Sequence, residues 1–448
     1  MKSLKYIAAG TLAVAAISSA FADVTLRITG STAFRKAEYA GIVDWLTANV
    51  GPVTGAFVSD SGAALNGANQ AVFVAGTSPN KVIIQCGQGG SSGGLRFTVQ
   101  GPTTFASVKP DGSATDKVWV SPSNPLFAIT VSGGQATGGG TAITTSAAIF
   151  SAPARANITM ADTYQDSTQW NSLDYAALSE IPGGALGVQG YVFAKGKEYS
   201  NVDAASSGAY ARFTNVSPQA FQYLAANGTA KLSLFTGVAG DGAIDVVLVG
   251  RDYDSGTRCV TFYETGYGND TTGAVQYRAQ DASNVDVGDG TGAGNVDHFV
   301  QATDPNGDTL AGYNSGGFVK NVLNKAGGAV LSPNGRPMIV LAYVGTGDIP
   351  SVSSQILTFN GVTNGVVSTN GGAVNSNIAY GAYSFWDPEH MYYISLAGAN
   401  FTTAGTEKFV AKGIADKIRT TDIGASSAVA ISAMQCSKGG EGGVIAPN

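Results

Sequence analysis

Arg251, Ser255, Gly256 and Thr257 fall within one stretch, GRDYDSGTR (250–258), directly after the apolar run AIDVVLV. A guanidinium is a forked, permanently charged donor that matches an oxyanion. Hydroxyls add further donors, and glycine lets the backbone come close. Two other stretches place a small polar turn after a strand-like run: ITGSTAF (28–34) and CGQGGSSGGL (86–95). Each can open a helix, whose unpaired first N–H groups and dipole favour an anion. One Ser-Gly-Thr turn at a helix start is ordinarily a cap. Three such turns with an arginine point to an oxyanion site, placed where ligands bind in open α/β sheets, at the carboxyl ends of strands.

The surrounding pattern predicts the elements that position these turns. VTLRIT alternates as a strand, and AFRKAEYAGIVDWLTANV carries Phe34, Ala37, Ile42, Trp45 and Leu46 at helical spacing, with Ser31 or Thr32 as N-cap. KVIIQC is a second strand, and ARANITMADTYQDST is a short strand followed by a polar turn at Asp162. SPQAFQYLAANG is a helix with a cap at its start and a glycine stop. AIDVVLV, apolar but for Asp245, and PMIVLAYVG read as strands buried on both faces. SGGFVKNVLNKAGG and TEKFVAKGIADKIRT are helices. Strands alternating with helices predict an α/β fold with mostly parallel pairing. Residues 100–150 read as a hairpin excursion or long loop, and residues 268–312 as an irregular insertion.

The bulk properties narrow the function classes. Lys2 and Lys5, the apolar run from Tyr6 to Ile17, and Ala20-Phe21-Ala22 read as a signal peptide over residues 1–22, which predicts a periplasmic or extracellular protein. Without Lys2 and Lys5 the 25 basic residues become 23, against 31 acidic ones, a net charge of −8. That opposes general nucleic-acid binding, so an anion must be caught locally against the overall field. His298 and His390 are far apart, and Cys86, Cys259 and Cys436 have no metal-site spacing, so no metal or cofactor is expected. One disulfide is allowed among the three cysteines, with three candidate pairs.

The order of these segments resembles the PstS-type phosphate-binding proteins of the type-2 periplasmic binding protein superfamily. ITGSTAF, GQGGSSGG, ITMADTYQ, SPQAFQYLAANGTAKLSLFTG, Arg251 to Thr257, MIVLAYVG and YGAYSFWDPEHMYY are each similar to a segment of that family, in the same order. The resemblance covers most of residues 24–420, and its most specific element is R-x-x-x-S-G-T. It implies two α/β lobes with mixed, mostly parallel sheets and a hinge. Lobe 1 would comprise residues 23–190 and 348–448, and lobe 2 residues 191–347. Carried over, Thr32, Ala33 and Phe34 present a helix N-terminus to the anion, and Ser91 and Ser92 offer hydroxyls. Asp162 accepts a hydrogen from a protonated oxyanion. Arg251 pairs with it, and Ser255, Gly256 and Thr257 close the far side. One position departs: the family has an aspartate two residues after the arginine, where this chain has Tyr253, with Asp252 and Asp254 beside it.

The resemblance implies a non-enzymatic, monomeric solute-binding protein for an oxyanion, phosphate first, serving the membrane subunits of an ABC importer. The alternative is an extracellular or surface protein of the same fold that sequesters phosphate or serves a structural role, which the Gly/Asn-rich insertions favour. A third reading is a hydrolase built on Asp387, Glu389 and His390, against a lobe-packing role for the aromatic residues around them. Arg96 and Arg258 are further candidates for the site, Arg258 equally as a solvated or ion-paired helix residue. Asp304, Asn306 and Asp308 only partly match a calcium loop and read better as a turn.

Overall fold

Val24–Gly30 is the strand on which the first half of the molecule is built, with Leu26 and Ile28 fully buried. It is seen in a computed structural model that describes residues 23–58, 65–100, 126–132, 135–143, 155–168, 177–268, 273–288, 294–302, 312–325, 327–351, 355–364 and 376–448. The signal-peptide reading, Asp304, Asn306 and Asp308, and much of residues 100–150 lie outside the described residues.

Val24–Gly30 pairs in parallel with Val82–Gly87 on one side and Ile158–Ala161 on the other. Past Val82–Gly87 the sheet continues antiparallel through Gln70–Ala75, Val53–Val58, Leu126–Ser132 and Gln135–Ile143. In the second half, Asp245–Val249 runs parallel to Met338–Gly345, and Gly187–Lys195 joins the latter antiparallel. All residues of these three strands are buried, the polar Gln189, Lys195 and Asp245 among them. The fold is α/β with a mixed sheet, and the parallel ladders lie at the strands that feed the polar turns.

A single strand joins the halves. Trp386–Glu389 pair with Gly187–Gly190, and His390–Tyr393 pair with Ile158–Ala161, so Trp386–Tyr393 makes the two halves one 13-stranded sheet. The apolar residues nevertheless form two clusters. One gathers Leu26, Ile28, Trp45, Ile84 and Met160 with Ile414 and Ile418. The other gathers Phe193, Phe221, Val247, Phe262, Leu341, Tyr343, Phe359 and Phe385.

Helices follow their sequence signals where a cap is present. Pro218–Asn227 has Ser217 as N-cap, its side chain accepting from Ala220 N, and stops at Gly228 in the left-handed region. Glu407–Lys417 is capped by Thr406 and lies against helix Arg35–Asn49. Gly413 makes that contact possible, since a Cβ there would fall 1.9 Å from Trp45 Nε1. The first helix departs from expectation. It begins at Arg35, with Phe34 rather than Ser31 or Thr32 at the N-cap, because the chain bends through 32–34 before winding.

Gly30 ends its strand at φ +118°, and a Cβ on it would lie 1.9 Å from the Met160 carbonyl oxygen. Gly30→Ala is therefore expected to lower stability by roughly 2–4 kcal/mol, through a forbidden backbone angle and a backbone clash together. A urea midpoint equal to that of the unsubstituted protein would refute this.

Candidate functional site

The parallel register sets three strand ends side by side. Thr29 lies opposite Gly87, and Gly30 opposite Met160, so the turns that follow emerge at one edge. Ser31 N donates to Met160 O at 2.9 Å, and Gly90 N donates to Gly30 O at 2.8 Å. The Ser31 hydroxyl accepts from Phe34 N at 3.3 Å. The Phe34 N–H is thus engaged within its own turn, and the Phe34 side chain belongs to the first apolar cluster. Ala33 is half-buried.

The second turn opens helix Ser91–Gln100. Ser91 Oγ donates to Asp162 Oδ1 at 2.5 Å. Ser92 is fully buried, and its hydroxyl makes no hydrogen bond among the described residues. Burial pushes the Asp162 carboxyl above the usual carboxylate range, opposed by the Ser91 hydroxyl, the Tyr191 phenol and the charge of Arg251.

The third turn comes from the other half. Ser255 caps helix Gly256–Glu264, its side chain accepting from Arg258 N. Gly256 lies against the first half: a Cβ there would sit 1.8 Å from Asp162 Oδ1 and 2.8 Å from Ser91 Cβ. Gly93 N donates to Asp254 O at 3.0 Å, and a Cβ on Gly90 would meet the same carbonyl oxygen at 2.3 Å. The Asp254–Gly256 turn therefore rests directly on the Gly90–Gly94 turn, and Thr257 is buried beside it.

Arg251 is 2% exposed. Its Nε donates to Tyr313 O at 3.1 Å, and its Nη2 donates to Asn314 O at 2.9 Å and to Thr32 Oγ1 at 3.3 Å. Every one of these acceptors is a neutral oxygen. Arg96 pairs with Asp254 at 3.3 Å, both fully buried, so the Asp254 carboxylate is turned to the helix of the first half. Arg258 is neither solvated nor at the surface. It is 0% exposed, donates from Nη1 to Arg251 O at 3.1 Å, and lies 4.9 Å from the Phe262 ring centroid. Tyr253, where the resembled family has an aspartate, is buried in the same turn.

The structure thus joins Thr32 to Arg251, and Ser91 and Asp162 to Gly256 at the helix start capped by Ser255, while Ser92 and Thr257 are buried on the two adjoining helices. It also buries the acid pair that the sequence offered as hydrolase residues. Asp387 and Glu389 share one buried face of the joining strand, and both act on Tyr191 together with Asp162. His390 lies on the opposite face, 2.8 Å from Glu180 Oε1, which separates it from these acids. Of the aromatic residues nearby, Tyr383, Phe385 and Trp386 are buried, whereas Tyr392 and Tyr393 are only partly so. Cys86, Cys259 and Cys436 are all buried and form no disulfide.

The C-terminal hairpin, Cys436–Lys438 with Ile445–Pro447, ties both halves together. Glu441 accepts from Thr163 Oγ1 at 2.5 Å, Tyr164 N at 2.6 Å and Ser167 Oγ at 2.5 Å, all in the first half. Glu264, at the end of the Gly256–Glu264 helix, accepts from Lys438 Nζ and from Gly442 N at 2.9 Å. Lys438 also donates to Trp386 O at 2.7 Å. A single glutamate between glycines, as in GGEGG, carries no periodic signal that would reveal this role.

No helix among the described residues is long and apolar enough to cross a membrane. No group of three or more His, Cys, Asp or Glu residues among them could hold a metal ion. No family model matches the chain, and no curated protein matches it. Among solved structures, an ABC-type phosphate transport receptor from Vibrio cholerae is similar at 15% identity and a TM-score of 0.31, over 60% of this chain and 78% of that one. A protein described as a "possible phosphate binding protein" from Planctomyces limnophilus DSM 3776 is similar at 10% identity and a TM-score of 0.33, over 83% of this chain and 82% of that one.

Removing the cation of the Lys438–Glu264 pair leaves a buried carboxylate without its partner. Lys438→Met is expected to cost about 3 kcal/mol at pH 8. The cost should shrink at pH 5, because burial already raises the Glu264 carboxyl and a proton can then replace the lost charge. Urea unfolding at both pH values checks this, and equal losses at the two would contradict it.

Proposed function

We propose that the protein is a secreted solute-binding protein that holds an oxyanion, phosphate first, between its two halves and delivers it to an ABC-type importer without making or breaking bonds. The observation that carries the reading is Arg251. A guanidinium 2% exposed and hydrogen-bonded, among the described residues, only to carbonyls and a hydroxyl is a buried cation with no directly paired anion among them. Such a charge is costly unless an opposite charge joins it. Turns with hydroxyls converge on it from both halves, and Ser92 holds a buried hydroxyl ready to donate. Asp162 would accept from a protonated oxygen of the ligand. Entry and release would require the Asp254–Gly256 turn to lift from Gly90–Gly94, a hinge motion about the joining strand and its neighbours.

A second reading, retention of the anion by an extracellular protein rather than its delivery, is favoured by the C-terminal hairpin, whose bonds to both halves oppose opening.

Calorimetric titration with phosphate and with sulfate tests the anion reading. Saturable phosphate binding is expected. Arg251→Ala should weaken it by at least about 30-fold, the lower end of the 2–5 kcal/mol that follows truncation of one partner of a buried charge pair. Sulfate binding as tight as phosphate would show that Asp162 alone, with Tyr253 in the neighbouring position, does not select the protonated anion. An absence of heat with both anions would overturn the reading.

A further inference from the structure

Asp387 is fully buried, and both of its carboxyl oxygens lack a hydrogen bond among the described residues. The groups that face it come from three separate parts of the molecule. Asp162 belongs to the first half, Glu264 ends the Gly256–Glu264 helix of the second, and Lys438 and Glu441 come from the C-terminal hairpin. Tyr191, on the strand paired with Trp386–Glu389, faces it as well. The lone cation in this set, Lys438, already holds Glu264. Glu389, two residues on, is also fully buried, and faces Asp162, Glu38 and the Ser31 hydroxyl, all in the first half.

Asp387 therefore lies on the strand that joins the halves, with groups of both halves and of the hairpin around it. Three acids, Asp162, Asp387 and Glu389, act on Tyr191, and the charge of Arg251 acts on Asp162. Three carboxylates cannot all remain ionised in so little water.

We propose that Asp387 couples anion capture to proton uptake: closing the halves over the anion buries its carboxyl as a neutral acid, and opening them releases the proton. This rests on the oxyanion reading of the site. Burial, with Glu441, Glu264 and Asp162 adding like charge and Lys438 opposing, raises the Asp387 carboxyl well above its ordinary range. The sign follows from that direction. A group whose pKa is raised in the closed form stabilises that form at low pH, and the contribution is lost as pH rises through the raised value. Anion binding therefore weakens with rising pH above the usual carboxylate range.

Phosphate titrations of the full chain in buffers of different ionisation enthalpy count the protons taken up. Above the ordinary carboxylate range, at pH 6, the unsubstituted protein is expected to take up more protons per phosphate than Asp387→Asn, an isostere that stays neutral. Phosphate's own protonation contributes equally to both and cancels. Should the variant fail to fold, the unsubstituted protein at the same pH decides the matter. A count above what the bound phosphate itself gains, read from its 31P chemical shift, supports the proposal; an equal count overturns it. Equal counts in protein and variant overturn the proposal while leaving the anion site in place. An absence of phosphate binding overturns both.

Discussion

The arrangement depends on a buried cation. Arg251 emerges from a fully buried strand, at the end of Asp245–Val249, into a place with almost no water. Its donors must be satisfied there, and the structure satisfies them with the carbonyls of Tyr313 and Asn314 and the hydroxyl of Thr32. Two of these acceptors come from the second half and one from the first. A single side chain thereby links the turn after Val24–Gly30 to the segment that precedes helix Gly316–Asn324. Neutral oxygens meet the hydrogen-bonding demand but leave the charge without a direct partner among the described residues, and the anion proposal rests on this asymmetry.

The glycines follow from that demand for closeness. Gly90, Gly93 and Gly256 are positions where the two halves touch through backbone, and a methyl at Gly256 would fall onto the Asp162 carboxylate. Any larger residue would hold the hydroxyls of one turn away from the arginine of the other. The joining strand sets the alignment: because Trp386–Tyr393 pairs with Gly187–Gly190 through its first residues and with Ile158–Ala161 through its last, the turns on the two sides keep a common edge. It also places Asp387 and Glu389 beneath that edge, where acids accumulate that no surface would hold neutral.

Charge is handled differently a few ångströms away. Arg96 and Asp254 neutralise one another between the halves, and Lys438 and Glu264 do so between the hairpin and the second half. These pairs neutralise their own charges across the contacts they make. The hairpin adds a glutamate that gathers three donors of the 163–167 loop, so the closed arrangement is held both by the site and from outside it.

What was legible in the sequence was local. The alternation in VTLRIT, the apolar runs AIDVVLV and PMIVLAYVG, and the Ser217 and Gly228 stops each act within one turn or one strand, so their outcome is set by neighbours along the chain. The three polar turns could be found for the same reason, and so could the arginine among them. The start of the first helix could not, because Thr32 serves as acceptor for an arginine 219 positions away and the chain bends to present it. Nor could the roles of Asp387, Glu389, Lys438 and Glu441. Their chemistry comes from burial and from partners far away in the chain, and the burial of a carboxylate is decided only when the sheet closes over it.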